Sequence, residues 1–358
     1  MELFNAAGTA GRLRASPLLA LGPSQPGPAL RRGALVAVPV GLALLLELGL
    51  NSASKGAIGT GALLAGFPGL DAPARTRAAW QAAVAPLIGL AAALGVLTGS
   101  SALPAIVAIG LVGAAAGYCF SVSLRFSIAG LSVALALVIA QDLPLDLGDI
   151  GAAFLLATAG GLLQAAFSTC VWIAGDRSEE GGAEGWDSRA VLGALRSNLS
   201  LDSTSFRHGL RFGGALAVGV SVYWLIGMHE HGFWIPLTIL FVLRPEKEET
   251  FRRLILRAVG TAVGLVLATA LAEWIGGSGV AVAVALMIAT AFAYGLLTVQ
   301  YALFTAAITT YAVLLADSIG ETALHAAGQR AIATAIGIAI AGASFLLWPN
   351  PDGPSRTT

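Results

Sequence analysis

The chain has 358 residues, of which 56% are hydrophobic and 11% charged, with 20 basic residues against 20 acidic ones and no net charge. A soluble domain carries about 25% charged residues because its surface meets water, so most of this surface faces something else. No basic field is present to attract nucleic acid.

Residues 1–30 hold Arg12 and Arg14, the short apolar run Leu18–Leu21 and a Pro/Gly-rich stretch. They read as a disordered cytoplasmic tail without a secretory signal. Apolar runs approaching the ~20 residues that cross a bilayer then follow at 33–50, 54–68, 79–98, 103–119, 124–141 and 149–173. A polar stretch occupies 175–206, and six more runs lie at 208–227, 231–244, 254–274, 279–294, 296–316 and 327–348. The second and eighth runs are short, which leaves tilted, broken or re-entrant segments open. Cys119 and Cys170 lie in apolar runs and are expected as small core residues, since two isolated thiols make no disulfide or metal framework. The 45 glycines suit helices that approach through small residues, although a GC-rich genome gives the same bias.

The expected fold is therefore an all-α integral membrane protein of about 12 transmembrane helices. Its predicted parts are the tail 1–30, a first six-helix unit 31–174, a cytoplasmic linker 175–206, a second six-helix unit 207–349 and a C-terminal tail 350–358. With the N-terminus in the cytoplasm, every Lys and Arg except Lys55 and Arg330 falls on the inner side, 18 of the 20. That bias is the one positive-inside topology requires, and it places both termini at the cytoplasmic face of an inner (plasma) membrane. Sliding the chain along itself by 175 residues aligns Arg32 with Arg207, Arg77 with Arg252, Gly89 with Gly264 and Asp142 with Asp317. An even number of spans per unit makes the two copies parallel, related by an axis along the membrane normal.

The second half carries a series of motifs: Gly232-Phe-Trp-Ile-Pro-Leu-Thr238, then Leu243-Arg-Pro245, then Arg257-Ala-Val-Gly260-Thr261-Ala-Val-Gly264, and finally Arg330-Ala-Ile-Ala-Thr334-Ala-Ile-Gly337 before Trp348-Pro349. Over about 220–350 this series resembles the fusaric acid resistance protein-like (FUSC) family of the aromatic acid exporter superfamily. The first half joins the resemblance only through the repeat. The resemblance implies export of aromatic or other hydrophobic carboxylic acids, coupled to the proton gradient; related plant members are anion channels. Two features depart from the family. Its familiar large exporters carry sizeable cytoplasmic domains, whereas about 30 polar residues link the halves here. The first half also lacks the arginines, with Ala82 in the place of Arg257 and Leu155 in the place of Arg330.

Seven residues are candidate substrate contacts. Arg257 and Thr261 share a helical face four residues apart, and a guanidinium matches a carboxylate bidentately; the alternative is an arginine that snorkels to the headgroups. Arg330 and Thr334 repeat the spacing at the outer side, where Asp317 or Glu321 is placed to neutralise the charge. Trp234 and Thr238 flank Pro236 in a short apolar helix that a proline is expected to interrupt, with Trp234 stacking on substrate or sitting in the interfacial aromatic belt. Tyr301 shares a face with Thr305. Asp142 and Asp317 match at the outer ends of spans five and eleven, as a proton-coupling pair or as solvated helix ends. The loop His229-Glu230-His231 is a weak metal signal.

No nucleophile elbow, Cys/His pair or phosphate-cradling loop is present, so no enzyme, catalytic residue, metal or cofactor is expected. The expected partners are the lipid bilayer and a small organic anion, with homo-oligomerisation left open. The functional alternatives are a passive anion channel and a non-transporting membrane scaffold in envelope assembly.

Overall fold

A computed structural model describes residues 26–48, 56–143, 145–175, 188–228, 231–276, 278–318 and 320–348. The C-terminal tail, Lys55, His229, Glu230 and most of the N-terminal tail lie outside the described residues. Among the described residues there are thirteen α-helices and no strand. They are α1 Pro26–Leu48, α2 Ala57–Ala65, α3 Ala74–Gly99, α4 Ala102–Tyr118, α5 Leu124–Asp142, α6 Ile150–Ala174, α7 Ser188–Ser197, α8 Thr204–Leu225, α9 Trp234–Val242, α10 Lys247–Ile275, α11 Gly279–Leu296, α12 Tyr301–Ser318 and α13 Ala323–Leu347. α1 begins inside the stretch expected as tail. α7 lies within the expected linker.

The helices start where side chains satisfy the first free N–H groups. Ser123 accepts from Phe126 N–H ahead of α5, Ser203 from Phe206 N–H ahead of α8, and Thr322 from His325 N–H ahead of α13. Nine of them are long and apolar enough to cross a membrane: α1, α3, α4, α5, α6, α10, α11, α12 and α13. α8 has comparable length, 22 residues, but its opening turns carry Arg207, His208 and Arg211. Leu103, Leu111, Leu155, Val266 and Leu346 are all exposed, as befits helices whose outer face meets lipid rather than water. Cys170 is exposed among them rather than buried as expected, while Cys119 is half-buried.

α2 and α9 differ from the rest. Each has nine residues, about 14 Å of helix at ~1.5 Å per residue, under half of a ~30 Å hydrocarbon core. The predicted spans 54–68 and 231–244 are thus half-helices continued by irregular chain. α2 gives way to Gly66, Pro68 and Gly69, the last at φ +71°, and α9 ends in extended backbone at Leu243 before Arg244-Pro245. Pro236 does not interrupt α9. It sits in the first turn, where its missing N–H leaves no helical bond unmade. All nine residues of α9 are buried, against α8, α13, α10 and α5. Irregular backbone survives at membrane depth only where protein surrounds it in this way.

The first six helices and the last six touch through α1 on α11 and α4 on α8. Glycines set these approaches: a Cβ on Gly33 would lie 2.4 Å from Ala291 O, and one on Gly213 would lie 2.3 Å from Gly110 O.

Candidate functional site

α9, α10, α12 and α13 converge in the second half, and together they bring all seven candidate substrate residues into one region. Small residues allow this. A Cβ on Gly260 would meet Ala302 O at 2.3 Å, and one on Gly264 would meet Ala306 O at 2.6 Å, so α10 lies directly on α12. A Cβ on Gly337 would meet Ile235 O at 2.8 Å and the Thr238 side chain at 2.7 Å, so α13 lies on α9. The glycines of the two Arg-x-x-x-Thr motifs are therefore contact surfaces that bring the motif residues together.

Arg257 stands ten residues into α10, about 15 Å along its axis, and is fully buried. It does not snorkel. Its Nε, Nη1 and Nη2 have no hydrogen-bond partner, and the guanidinium lies 5.6 Å from the centre of the Phe241 ring. Arg330 is 1% exposed, with Nε and Nη1 unpartnered, and lies 5.3 Å from the centre of the Trp234 ring. The two arginines are within electrostatic reach of each other and of the Tyr301 phenol. Neither expected neutralising carboxylate reaches Arg330. Asp317 accepts from Ala323 N–H at 3.0 Å, and Glu321 meets His231 at 2.6 Å.

The surrounding polar atoms fall into two groups. Thr238 Oγ1 donates to Trp234 O at 2.9 Å and Tyr301 Oη donates to Phe241 O at 3.1 Å, so both are occupied. Thr261, Thr334, Thr305 and Thr309 hold buried hydroxyls without a partner, as does the Trp234 indole N–H. A buried donor left unmade costs about 1–3 kcal/mol, more for a charged group, and an uncompensated buried cation is the costliest case. The arrangement is set for an acceptor with several oxygens. The aromatic faces of Trp234 and Phe241 add cation–π stabilisation.

Further guanidinium groups lie on the Arg257 side. Arg253 lies 4.6 Å from the Tyr301 ring centre and bonds Glu249 at 2.5 Å, and Arg244 lies 5.8 Å from the Phe120 ring centre. Beyond Arg330, His231 stacks on Trp234 with centroids 4.1 Å apart and planes 10° from parallel. His231 adopts φ 61°, a left-handed conformation uncommon for non-glycine residues.

The expected proton-coupling pair separates into two settings. Asp317 caps α13. Asp142 lies beside the backbone N–H groups of His231–Phe233 at the start of α9 and within electrostatic reach of Glu321. Sequence reasoning passed over Glu47, a single carboxylate inside the apolar run Leu42–Leu50 that is 5% exposed. An ionisable residue alone in such a run was the available signal.

The arginines are closed from solvent. A groove lined by Ile226, Met228, Leu324, His325, Gln329 and Ile332 opens elsewhere, and a second pocket belongs to the first half. None of the seven candidate residues lines either one.

Residues 212–343 match the model of the fusaric acid resistance protein-like family. The chain is 36% identical over 157 residues to the inner membrane protein YccS of Escherichia coli, covering 44% of this chain and 22% of that protein. It is 34% identical over 157 residues to protein slr1298 of Synechocystis, covering 41% and 19%, and 32% identical over 164 residues to protein YhfK of Escherichia coli, covering 45% and 23%. The match thus spans about a fifth of the length of these relatives. No solved structure matches the chain.

Proposed function

Because residues 212–343 match the model of the fusaric acid resistance protein-like family, we propose that the chain is an inner-membrane transporter that exports aromatic or hydrophobic carboxylate anions in exchange for protons. The observation that carries the reading is the pair Arg257 and Arg330, fully buried, close together and without acceptors for five of their nitrogen atoms. Water-excluded guanidinium groups bind a carboxylate far more strongly than solvated ones. Trp234 and Phe241 supply flat apolar faces for a ring, while Thr261 and Thr334 offer hydroxyl donors. Closure of the site from solvent favours a carrier, which opens to one side at a time, over an open anion channel.

The proposed architecture is twelve crossings as two parallel six-helix repeats, with both termini cytoplasmic. In support, α1–α6 and α8–α13 begin within three residues of one another in the 175-residue register. The contacts between the halves also reciprocate: α1 meets α11, and α8, the counterpart of α1, meets α4, the counterpart of α11. α2 and α9 contribute their crossings as half-helices completed by irregular chain.

The test is flux in proteoliposomes. Benzenesulfonate is a suitable probe because it stays ionised and does not leak through lipid as a neutral acid. Accumulation is expected to follow an imposed pH gradient and to collapse when that gradient is dissipated. Flux that follows only the electrochemical gradient of the anion would select the channel, and the absence of flux for any organic anion would select the scaffold.

A further inference from the structure

Glu47 closes α1 next to the start of α2. Its Oε1 accepts from Ile58 N–H at 2.6 Å and from Gly59 N–H at 3.2 Å, so it supplies the N-terminal cap that Gly56 cannot. Its Oε2 is buried and has no partner. Tyr311, on α12 of the other half, is 4% exposed; its hydroxyl is likewise unpartnered and lies within electrostatic reach of Glu47. Two orphan oxygens thus lie within electrostatic reach of each other, one from each half of the chain.

The start of α9 is built on the same plan with the roles exchanged. There the carboxylate comes from α5, as Asp142, and the phenol from α8, as Tyr223. In the 175-residue register α8 corresponds to α1 and α5 to α12. Each short helix therefore has one acid at its N-terminus, and that acid lies within electrostatic reach of a tyrosine from the opposite half.

We propose that Glu47 is a proton-binding site inside the membrane, with Tyr311 as the hydrogen-bond partner of the protonated acid. Two opposed effects act on it. The half-helix N-terminus and two N–H donors favour the carboxylate, while burial in an apolar setting favours the neutral acid. A reversible proton carrier requires both effects to act on one group. Uptake converts carboxylate and one proton to a carboxylic acid whose new O–H on Oε2 donates to Tyr311 Oη. Release is the reverse. Around Glu47, α2 brings no titratable group, and Tyr294 of α11 is occupied with Leu63 O at 2.6 Å. Asp149 lines a pocket with Ala57 and Thr60 at the same end of α2, and its carboxylate accepts from Asp146 N–H at 3.1 Å. Lys55 lies outside the described residues. The role of Glu47 as the coupling group rests on the transport reading above; its proton binding does not.

The decisive measurement is infrared difference spectroscopy of the full chain in lipid nanodiscs, between alkaline and acidic pH. A protonated-carboxyl stretch should grow in on acidification and be absent from Glu47→Gln, whose amide oxygen still caps α2. Tyr311→Phe should raise the frequency of that band by removing its hydrogen bond, and Glu47→Asp should keep a band at a shifted position. A Glu47→Gln spectrum identical to that of the wild type in the carboxyl region overturns the proposal. Pyranine trapped in proteoliposomes supplies the second arm. Glu47→Gln should move benzenesulfonate without accompanying protons, and retained pH-dependent proton movement in that variant overturns the coupling role. A wild-type band with no benzenesulfonate movement removes the transport reading and leaves the proton site standing.

Discussion

The first half closes α3 against α6, whereas the second keeps their counterparts α10 and α13 further apart, around two guanidinium groups. In the first half a Cβ on Gly89 would lie 2.0 Å from Thr158 Oγ1, and one on Gly161 would lie 2.6 Å from Ala85 Cβ, so the two helices touch through their backbones. Gly264 aligns with Gly89 yet faces α12 instead of α13. The buried faces differ accordingly. Arg257 is enclosed, but Ala82 in the matching position is exposed, and Leu155, matching Arg330, is 63% exposed. Same helices, different rotation: one half is a close-packed support, and the other gives up close packing to admit charge and hydroxyl groups.

The largest test of this contrast is removal of the arginines. Arg257→Ala or Arg330→Ala each deletes charge-assisted bonds of about 1.5–3 kcal/mol and should lower benzenesulfonate flux by roughly tenfold to a hundredfold at preserved protein yield. Arg257→Lys should retain part of it. Ala82→Arg should build no second site, since its side chain points outward; it should instead lower the yield of inserted protein, because a lipid-facing arginine a third of the way along α3 costs up to about 2.5–3.5 kcal/mol, the helix-centre value on insertion scales.

Next in size is overpacking. Gly161→Val forces a side chain into Ala85 and should lower stability in detergent by about 1–3 kcal/mol, read from thermal unfolding, without changing benzenesulfonate affinity in the folded fraction. Gly264→Val should lower both, because it pushes on α12 beside Thr309. Smaller again are the orphan polar groups. Gln81 is fully buried in the first half with neither amide atom bonded, so Gln81→Leu should gain about 1 kcal/mol in thermal unfolding with flux unchanged. Thr261→Val removes a similar orphan hydroxyl from the second half and should gain comparable stability while weakening benzenesulfonate binding. Equal flux losses from both substitutions would end the division between support and site. The smallest expected effect is Glu321→Gln, which takes the carboxylate charge out of the partly exposed His231 bond and should cost about 0.2–1 kcal/mol, seen as a small loss of thermal stability.

The helices and the motif residues of the site were legible in the sequence because apolar runs, their length and the spacing Arg-x-x-x-Thr each have a direct physical meaning. The settings of those residues were not. Hydropathy shows that 231–244 is apolar, but not that α9 stops at Val242 or that Thr238 packs on Gly337, a contact across the second half. Local sequence places Asp317 and Glu321 near Arg330, yet the first caps α13 and the second binds His231, so the arginine stays unneutralised. Glu47 gives no local signal of burial because a lone acid at a helix end usually meets water, and only the fold shows it buried and bonded to Ile58 and Gly59 N–H of α2.

α9 carries a further consequence for how the molecule is made. A nine-residue segment buried on every side offers the insertion machinery too little length to be recognised as a span. It has to enter between α8 and α10 as part of one larger unit. Its docking partner Gly337 belongs to α13, which is synthesised after α10, α11 and α12. The two halves therefore mature on different schedules: the first can settle while synthesis continues, but the region around α9 is assembled only after α13 has been delivered.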